Sequence, residues 1–530
     1  MSAPPQNFTP SRPLVRSTQR TQYQFPIYRF INWIAVGAYT LGLVAMYFLL
    51  GMFGIPAPLG WAAIVILFSV GIILLDHPKT LLNTLMAFWW LLPGNRLFGL
   101  LGLPLPSFLD ELFFIPLVAV IVMQWIQGRQ VKEILWYPAL FGLIAILSWY
   151  GNGKGYLFPT IRATIVTLKP FILLYYCILT CPFESDRALR RWLVIILAYG
   201  AIQFPYNCLW QGAPWPRIHP DYSGGMAGPQ AGGHFCGYLS IFSLFVVIPL
   251  FFANYKKMSR LGKLFFVSAF LITLYDLVFM TDTKHGLLAQ AVALFFIVLH
   301  PIFNAKLRAF MSLVGILFAA LVIFYFNMFE GGHYDWQRAW NIFKSSPKMA
   351  YYNAVTKDFP NLVRFPFLGA GPGRFGSDIS VSLQTPLVRR YIQPFLAEMH
   401  RSRLGMKTTV FTSGSQLAYP SADFLTVMGE YGWFGALVQY AFFAFIILKL
   451  WHKAREPTRS LLVKYTFVSL MGCILFAVEL TFVVSPSAWP SLMYPIWILI
   501  GRTWNMHTEP DSVTLADQDS NVLLSAGATL

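Results

Sequence analysis

Charge is scarce in this sequence: only 12% of its 530 residues are Asp, Glu, Lys or Arg, while 56% are hydrophobic. That is about half the charged share of a soluble globular protein. It excludes a water-soluble domain and points to a polytopic membrane protein, in which each span needs about 20 mostly apolar residues. Acidic residues are the scarcer sign, 22 against 39 basic ones, which gives a formal net charge of +17. Such an excess asks for anionic partners, and in a membrane protein lipid headgroups and phosphate-bearing substrates fit better than nucleic acid. No DNA- or RNA-reading motif is present. Cysteine is rare too, with Cys177, Cys181, Cys208, Cys236 and Cys473 as the five examples, none at a metal-ligand spacing from histidine. With no D-x-D-like pair and no histidine cluster either, neither a metal nor a cofactor is expected. Cys208 and Cys236 are expected to be buried thiols rather than a disulfide. The N-terminus lacks a signal-peptide pattern, because Met1 to Phe25 is polar, with Arg12, Arg16 and Arg20, and no cleavage site follows the first apolar run.

What the chain does have is long apolar runs. They fall near 30–50, 59–75, 81–100, 107–126, 134–150, 163–180, 191–209, 234–253, 263–281, 286–303, 308–328, 423–450, 461–484 and 488–503. The hydropathy rule reads these fourteen runs as about 12–14 transmembrane helices, with the run broken by Pro93, Gly94, Asn95 and Arg96 open to a re-entrant reading. The basic residues alternate with them. One set of connections carries Lys79, then Arg129 and Lys132, Arg187 with Arg190 and Arg191, Lys256 to Lys263, Lys306 and Arg308, and Lys453 with Arg455 and Arg459; the other carries only Arg96, Lys154, Arg217 and Lys284. Lys and Arg in short loops mark the cytoplasmic side, so both termini are expected inside. The organisation follows: a cytoplasmic tail over 1–29, a helix bundle over 30–328, a large outer loop over 329–422, C-terminal helices over 423–503, and a cytoplasmic tail over 504–530 without fixed structure.

The outer loop is the only sizeable stretch made for water. Loops of roughly ninety residues are functional or disordered as a rule, and the aromatic residues of this one argue against disorder. From Glu330 to Pro420 it holds eleven basic and five acidic residues, a net of +6. Two readings stand: contact with anionic headgroups, or a surface for a phosphate-bearing substrate. Within it, Gly369, Gly371 and Gly373 with Pro372 make a turn whose backbone can approach a partner closely, flanked by Arg364 and Arg374. It is not a nucleotide loop, since no strand precedes it and no G-K-[ST] follows. Arg338 lies in the aromatic H-Y-D-W-Q-R-A-W stretch at the loop's start, His333 to Trp340.

Ionisable groups in or at the mouth of spans are costly and mark function by default. Arg162, Asp282, Lys284, His285 and Asp423 all fall at the outer face by this topology, and the very short turn Thr281 to Gly286 holds Lys284 against the mouth of the bundle. Asp110, Glu111, Lys169 and Glu479 read as structural, with Lys169 expected to pair with Asp276 and Glu479 to be a buried packing residue, neutral or hydrogen-bonded. A straight helix from Asp423 puts Glu430 some 10 Å deeper, in an orienting role.

In order, these features resemble the O-antigen ligase and polymerase family of bacterial membrane enzymes, over about Pro229 to Gly435. The helix start Gly233-His234-Phe235-Cys236-Gly237-Tyr238 is similar, and the family's T-x-S-R-G turn is matched loosely by Thr281 to Gly286. Its P-x-x-G-x-G-P-G-x-F is matched closely by Pro366 to Phe375, and the second half of H-N-x-x-L-x-x-x-x-E-x-G-x-x-G by Leu425, Glu430, Gly432 and Gly435. Two departures stand out: Lys284 replaces the turn's usual arginine, which keeps charge but loses a bidentate grip, and Ser421 replaces the loop-end histidine.

The resemblance implies a C-type glycosyltransferase-like (GT-C) bundle in the bacterial inner membrane. The implied activity is a metal-independent polysaccharide polymerase that joins undecaprenyl-pyrophosphate-linked repeat units, as in O-antigen or exopolysaccharide, with a chain-length regulator as a partner. Among the residues themselves, Lys284 is assigned to the pyrophosphate with Arg162, Arg364 and Arg374 as further candidate cations, and Asp423 at the mouth is read as the catalytic base, with helix capping as its structural alternative. Arg338, Arg364, Arg374, Gly369, Gly371, Gly373, His285, Ser421 and Glu430 are the implied substrate-binding residues. A ligase that transfers finished glycan to a lipid or protein differs only in its acceptor. A non-catalytic transporter of the same lipid-linked glycan is the reading from another class, and no internal repeat supports it.

Overall fold

The computed structural model describes residues 109–152, 157–211, 233–281, 284–306, 352–359, 363–377, 385–391, 423–482 and 490–506, with residue 380 and short stretches within 78–86 and 308–320. Contacts divide the chain into 1–72 and 73–530, and every described residue belongs to the second unit. The described residues are helical, without a strand. The long helices are α1 Leu109–Ile126, α2 Trp136–Gly151, α3 Leu157–Thr180, α4 Asp186–Gln211, α5 Gly233–Phe245, α6 Val247–Asn254, α7 Arg260–Tyr275 and α8 Lys284–Val298. A short α9, Pro386–Tyr391, is followed by α10 Asp423–Arg455, α11 Leu461–Thr481 and α12 Pro490–Thr503. Among the described residues six helices are long and apolar enough to cross a membrane. The chain is a helical, membrane-embedded protein. Each apolar run that falls on described residues coincides with a helix; those before 107 and over 308–328 lie largely outside them.

Helices whose outer surfaces meet lipid cannot gain much from apolar burial against each other, so close approach at small residues matters. Gly200 of α4 lies against Ser243 of α5, Gly472 of α11 against Ile297 of α8, and Gly501 of α12 against Cys177 and the Leu174 carbonyl of α3; a Cβ added at any of the three would overlap its neighbour.

The bundle has two chemically distinct ends. At one, Glu133 accepts from Lys449 Nζ at 2.6 Å and from the Trp504 indole at 3.1 Å, while Lys453 donates to the Trp504 carbonyl at 3.0 Å. Arg459 donates to the Met506 carbonyl at 2.6 Å, and Arg502 donates to the Cys181 carbonyl at 3.0 Å and stacks over Phe183. Lys79 pairs with Glu184 at this end. Segments rich in Lys and Arg thus gather on one side, as the alternation along the sequence requires. Trp504 and Met506 are buried, so the packed chain runs three residues past the expected start of the tail.

One structural expectation is overturned. The five cysteines are free thiols, as expected, but Asp276 does not pair with Lys169. Its buried carboxylate accepts from Asn207 at 2.7 Å and from Cys236 and Ser240 at 3.2 Å each. Asp276 opens a π-turn, Asp276–Met280, that packs on α4, α5 and α7, whereas α3 packs on α1, α2 and α12. Lys169 therefore lies on another flank, its Nζ 5.6 Å from the centre of the Phe114 ring.

Candidate functional site

The other end of the bundle is organised by a buried carboxylate. Glu430 is fully buried. Its Oε2 accepts the Gly373 N–H at 2.8 Å; its Oε1 accepts the N–H groups of Phe375 and Ser377 at 3.1 Å each and the Ser377 hydroxyl at 2.5 Å. A carboxylate is an acceptor with room for about four hydrogen bonds, and here all four come from one loop. Isolated burial of such a group is expensive, so these donors are what make it tolerable.

The helix that carries Glu430 is itself opened to receive the loop. Gly432 has φ 68°, ψ −167°, which breaks α10 into a short arm and a long arm. The break frees the carbonyls of Gly429 and Glu430, and the N–H groups of Ala370 and Gly371 take them at 2.7 and 3.0 Å. A Cβ on Gly369 would come 2.5 Å from the Gly432 nitrogen, and one on Gly432 would overlap the Phe367 carbonyl. The two backbones are interlocked. Neighbouring helices complete the seat: the Ser148 hydroxyl lies on the carbonyls of Leu368 and, at 3.0 Å, Glu430. Asn152 donates to the Gly369 carbonyl at 2.6 Å and accepts from Phe365 N–H at 2.9 Å, while Thr160 holds the Pro372 carbonyl at 3.3 Å and Thr426 that of Gly376 at 3.1 Å. Both Gly369, at φ 71°, and Gly432 occupy the left-handed region, where a side chain costs about 1–2 kcal/mol before any clash. Gly432→Ala and Gly369→Ala are each expected to destabilise by more than that, read as a lowered melting temperature of the purified protein in detergent. An unchanged midpoint would contradict the interlock.

The break also corrects the depth argument. A straight helix would hold Phe424 and Tyr440 about 24 Å apart, yet their ring centres are 5.9 Å apart and both rings pack on Phe482, at 4.8 and 5.6 Å. The two arms fold towards each other. Glu430 is at the tip, plugged into the glycine loop, and Asp423 is at the foot of the short arm, 8% exposed and within electrostatic reach of the Tyr440 hydroxyl. That hydroxyl shares a 2.6 Å hydrogen bond with Thr481, and the Tyr352 hydroxyl donates to the Phe482 carbonyl at 3.2 Å. Glu430 is therefore not some 10 Å deeper along a straight span from Asp423, because the short arm turns back from the glycine loop towards Phe482.

The expected site residues are distributed as follows. Gly369, Gly371 and Gly373 are buried in the seat. Arg374 is half-buried beside them and donates to the Asn152 carbonyl at 2.6 Å, and burial lowers its pKa. Arg364 is exposed and stacks on Phe365 at 5.2 Å, in a collar of exposed aromatic residues with Phe367, Trp433 and Phe434. Such collars sit at membrane–water interfaces. Arg162 is half-buried in α3, two residues from Thr160 and so about 200° round the helix from the face that seats the loop. Lys284 opens α8 with His285 next to it, but their side chains lie outside the described residues, as do Arg338 and Ser421 altogether. The residues missed in the sequence are Ser148, Asn152, Thr160 and Thr426, each a lone polar group in or beside an apolar run, and Ser377, which directly follows the glycine-rich turn. Among the described residues no three His, Cys, Asp or Glu side chains come together as a metal site requires. No protein-family model matches the chain, and no curated protein matches it.

Proposed function

We propose that the protein is a polysaccharide polymerase of the O-antigen ligase and polymerase type, acting on undecaprenyl-pyrophosphate-linked repeat units at the outer face of the bacterial inner membrane. The observation that carries this reading is the union of two segments singled out by resemblance. The glycine-rich turn and the E-x-G-x-x-G helix meet, through hydrogen bonds that include Gly373 to Glu430, 57 residues apart in sequence, as one assembly at the end of the bundle opposite the basic cluster. By the positive-inside bias that end faces outward, with both termini in the cytoplasm.

In the reaction, a sugar hydroxyl of one repeat unit attacks the anomeric carbon of another. The new C–O bond forms as the bond to the pyrophosphate oxygen breaks, the electron pair leaves with undecaprenyl pyrophosphate, and the hydroxyl proton passes to a base. The leaving group is already good, so the protein's tasks are to neutralise its charge and to align the acceptor. Lys284 and Arg162 are the cations assigned to the pyrophosphate. Asp423 is the assigned base, buried and close to hydroxyl groups. Asp423→Asn keeps the size and helix-capping ability of the residue and removes its basicity, so it is expected to cut polymer by about a hundredfold or more with protein level unchanged, read from glycan chain length in a complemented deletion strain. Ser421→Ala is expected to give only a partial defect. Normal polymer from Asp423→Asn would remove the base from this position.

A further inference from the structure

Two polar side chains within the helix bundle take no part in the seat described above. Gln290 of α8 is 6% exposed, and its Oε1 is buried without a hydrogen-bond partner among the described residues; so is Oε2 of Glu479 on α11, a residue that is itself half-buried. Their relation follows from register. Gly472 of α11 touches Ile297 of α8. Tyr238 of α5 touches Gly286 at one end of α8 and stacks edge-on to Phe476 of α11 at 6.0 Å. Moving from 472 to 476 and from 297 to 286 approaches the same tyrosine, so the helices run antiparallel. Gln290 and Glu479 are each seven residues from the Ile297–Gly472 contact in that direction. Seven residues are about two turns, which returns to the same helix face, so the two side chains stand level across the α8–α11 interface.

Gln290 Oε1 is a hydrogen-bond acceptor, Glu479 Oε2 accepts when ionised and donates when protonated, and a buried polar atom left without a partner is costly. A ligand rich in O–H groups, which both donate and accept, would satisfy the two together. Lys284, at the start of the same helix, is six residues from Gln290, about 9 Å along the axis. We propose that Gln290 and Glu479 form a subsite for the hydroxyl groups of the sugar attached to the pyrophosphate. This rests on the glycan-transfer reading above: with the pyrophosphate at Lys284, the first sugar reaches down α8 to the pair.

The test uses the full chain in lipid nanodiscs and two probes: undecaprenyl pyrophosphate bearing one N-acetylated hexose, and undecaprenyl pyrophosphate alone. Wild type is expected to bind the sugar-bearing probe more tightly. Gln290→Met and Glu479→Gln, which nearly preserve shape, are expected to weaken it about tenfold each, the loss of roughly one hydrogen bond, and to leave the bare probe unaffected. Melting temperature checks that both variants fold. Equal affinity of wild type for the two probes, or no selective loss in either variant, overturns the subsite while leaving the polymerase reading in place. Failure of wild type to bind either probe overturns both.

Discussion

Replacing Lys284 with alanine is expected to abolish polymer formation while leaving the amount of protein in the membrane unchanged. In the proposed reaction the departing pyrophosphate would gather negative charge on an oxygen, and a fixed cation beside it would stabilise the transition state. The chain positions this residue by its neighbours. The π-turn Asp276–Met280 ends just before it, the buried Thr281 hydroxyl donates to the Leu277 carbonyl at 2.8 Å, and Gly286 lies so close to Tyr238 that a Cβ would come within 2.7 Å of the ring. Lys284 thus opens a helix that packs on Tyr238 within one turn of its start. Lys284→Arg keeps the charge and is expected to retain part of the activity. Polymer length and quantity in a complemented deletion strain read both variants, and full activity in Lys284→Ala would remove the turn from the mechanism.

The second large effect is expected from Glu430→Ala, and it falls on stability. The substitution removes the acceptor for three backbone N–H groups and one hydroxyl in a site closed to solvent. Each buried donor left unpaired costs about 1–3 kcal/mol, so the sum is a large part of the roughly 5–15 kcal/mol by which a domain is stable. The glycine loop is expected to come loose, read as rapid hydrogen exchange at Gly373, Phe375 and Ser377 and as loss of polymer. Glu430→Gln leaves one acceptor oxygen and is expected to fall between alanine and wild type. Wild-type exchange rates in Glu430→Ala would show that the loop is held by something else.

The spans were legible because hydropathy is a property of a continuous window: α2, α3, α7, α10 and α11 each occupy an apolar run of the right length. The break at Gly432 was not legible for the same reason. The run over 423–450 is apolar on both sides of it, one glycine does not interrupt a window, and the hydrogen bonds that stabilise the break come from a loop far away in sequence. The E-x-G-x-x-G spacing picked out residues on which the glycine loop packs, while the straight-helix reading of them missed the turn of the chain after Glu430. Asp276 failed in a related way. An acid in a span announces that it needs partners, but which helix supplies them depends on how the helices are arranged, and periodicity along one helix does not encode that. Glu479, read as a packing residue, has a buried oxygen that packing does not satisfy.

The polymerase reading rests on one activity that can be measured without other cell components. Purified protein in vesicles, given only undecaprenyl-pyrophosphate-linked repeat units, is expected to convert them into a ladder of lipid-linked glycans that lengthen in single-repeat steps, with one undecaprenyl pyrophosphate released per step. Recovery of the single-repeat lipid unchanged, or its mere transfer to the opposite leaflet without lengthening, would contradict it.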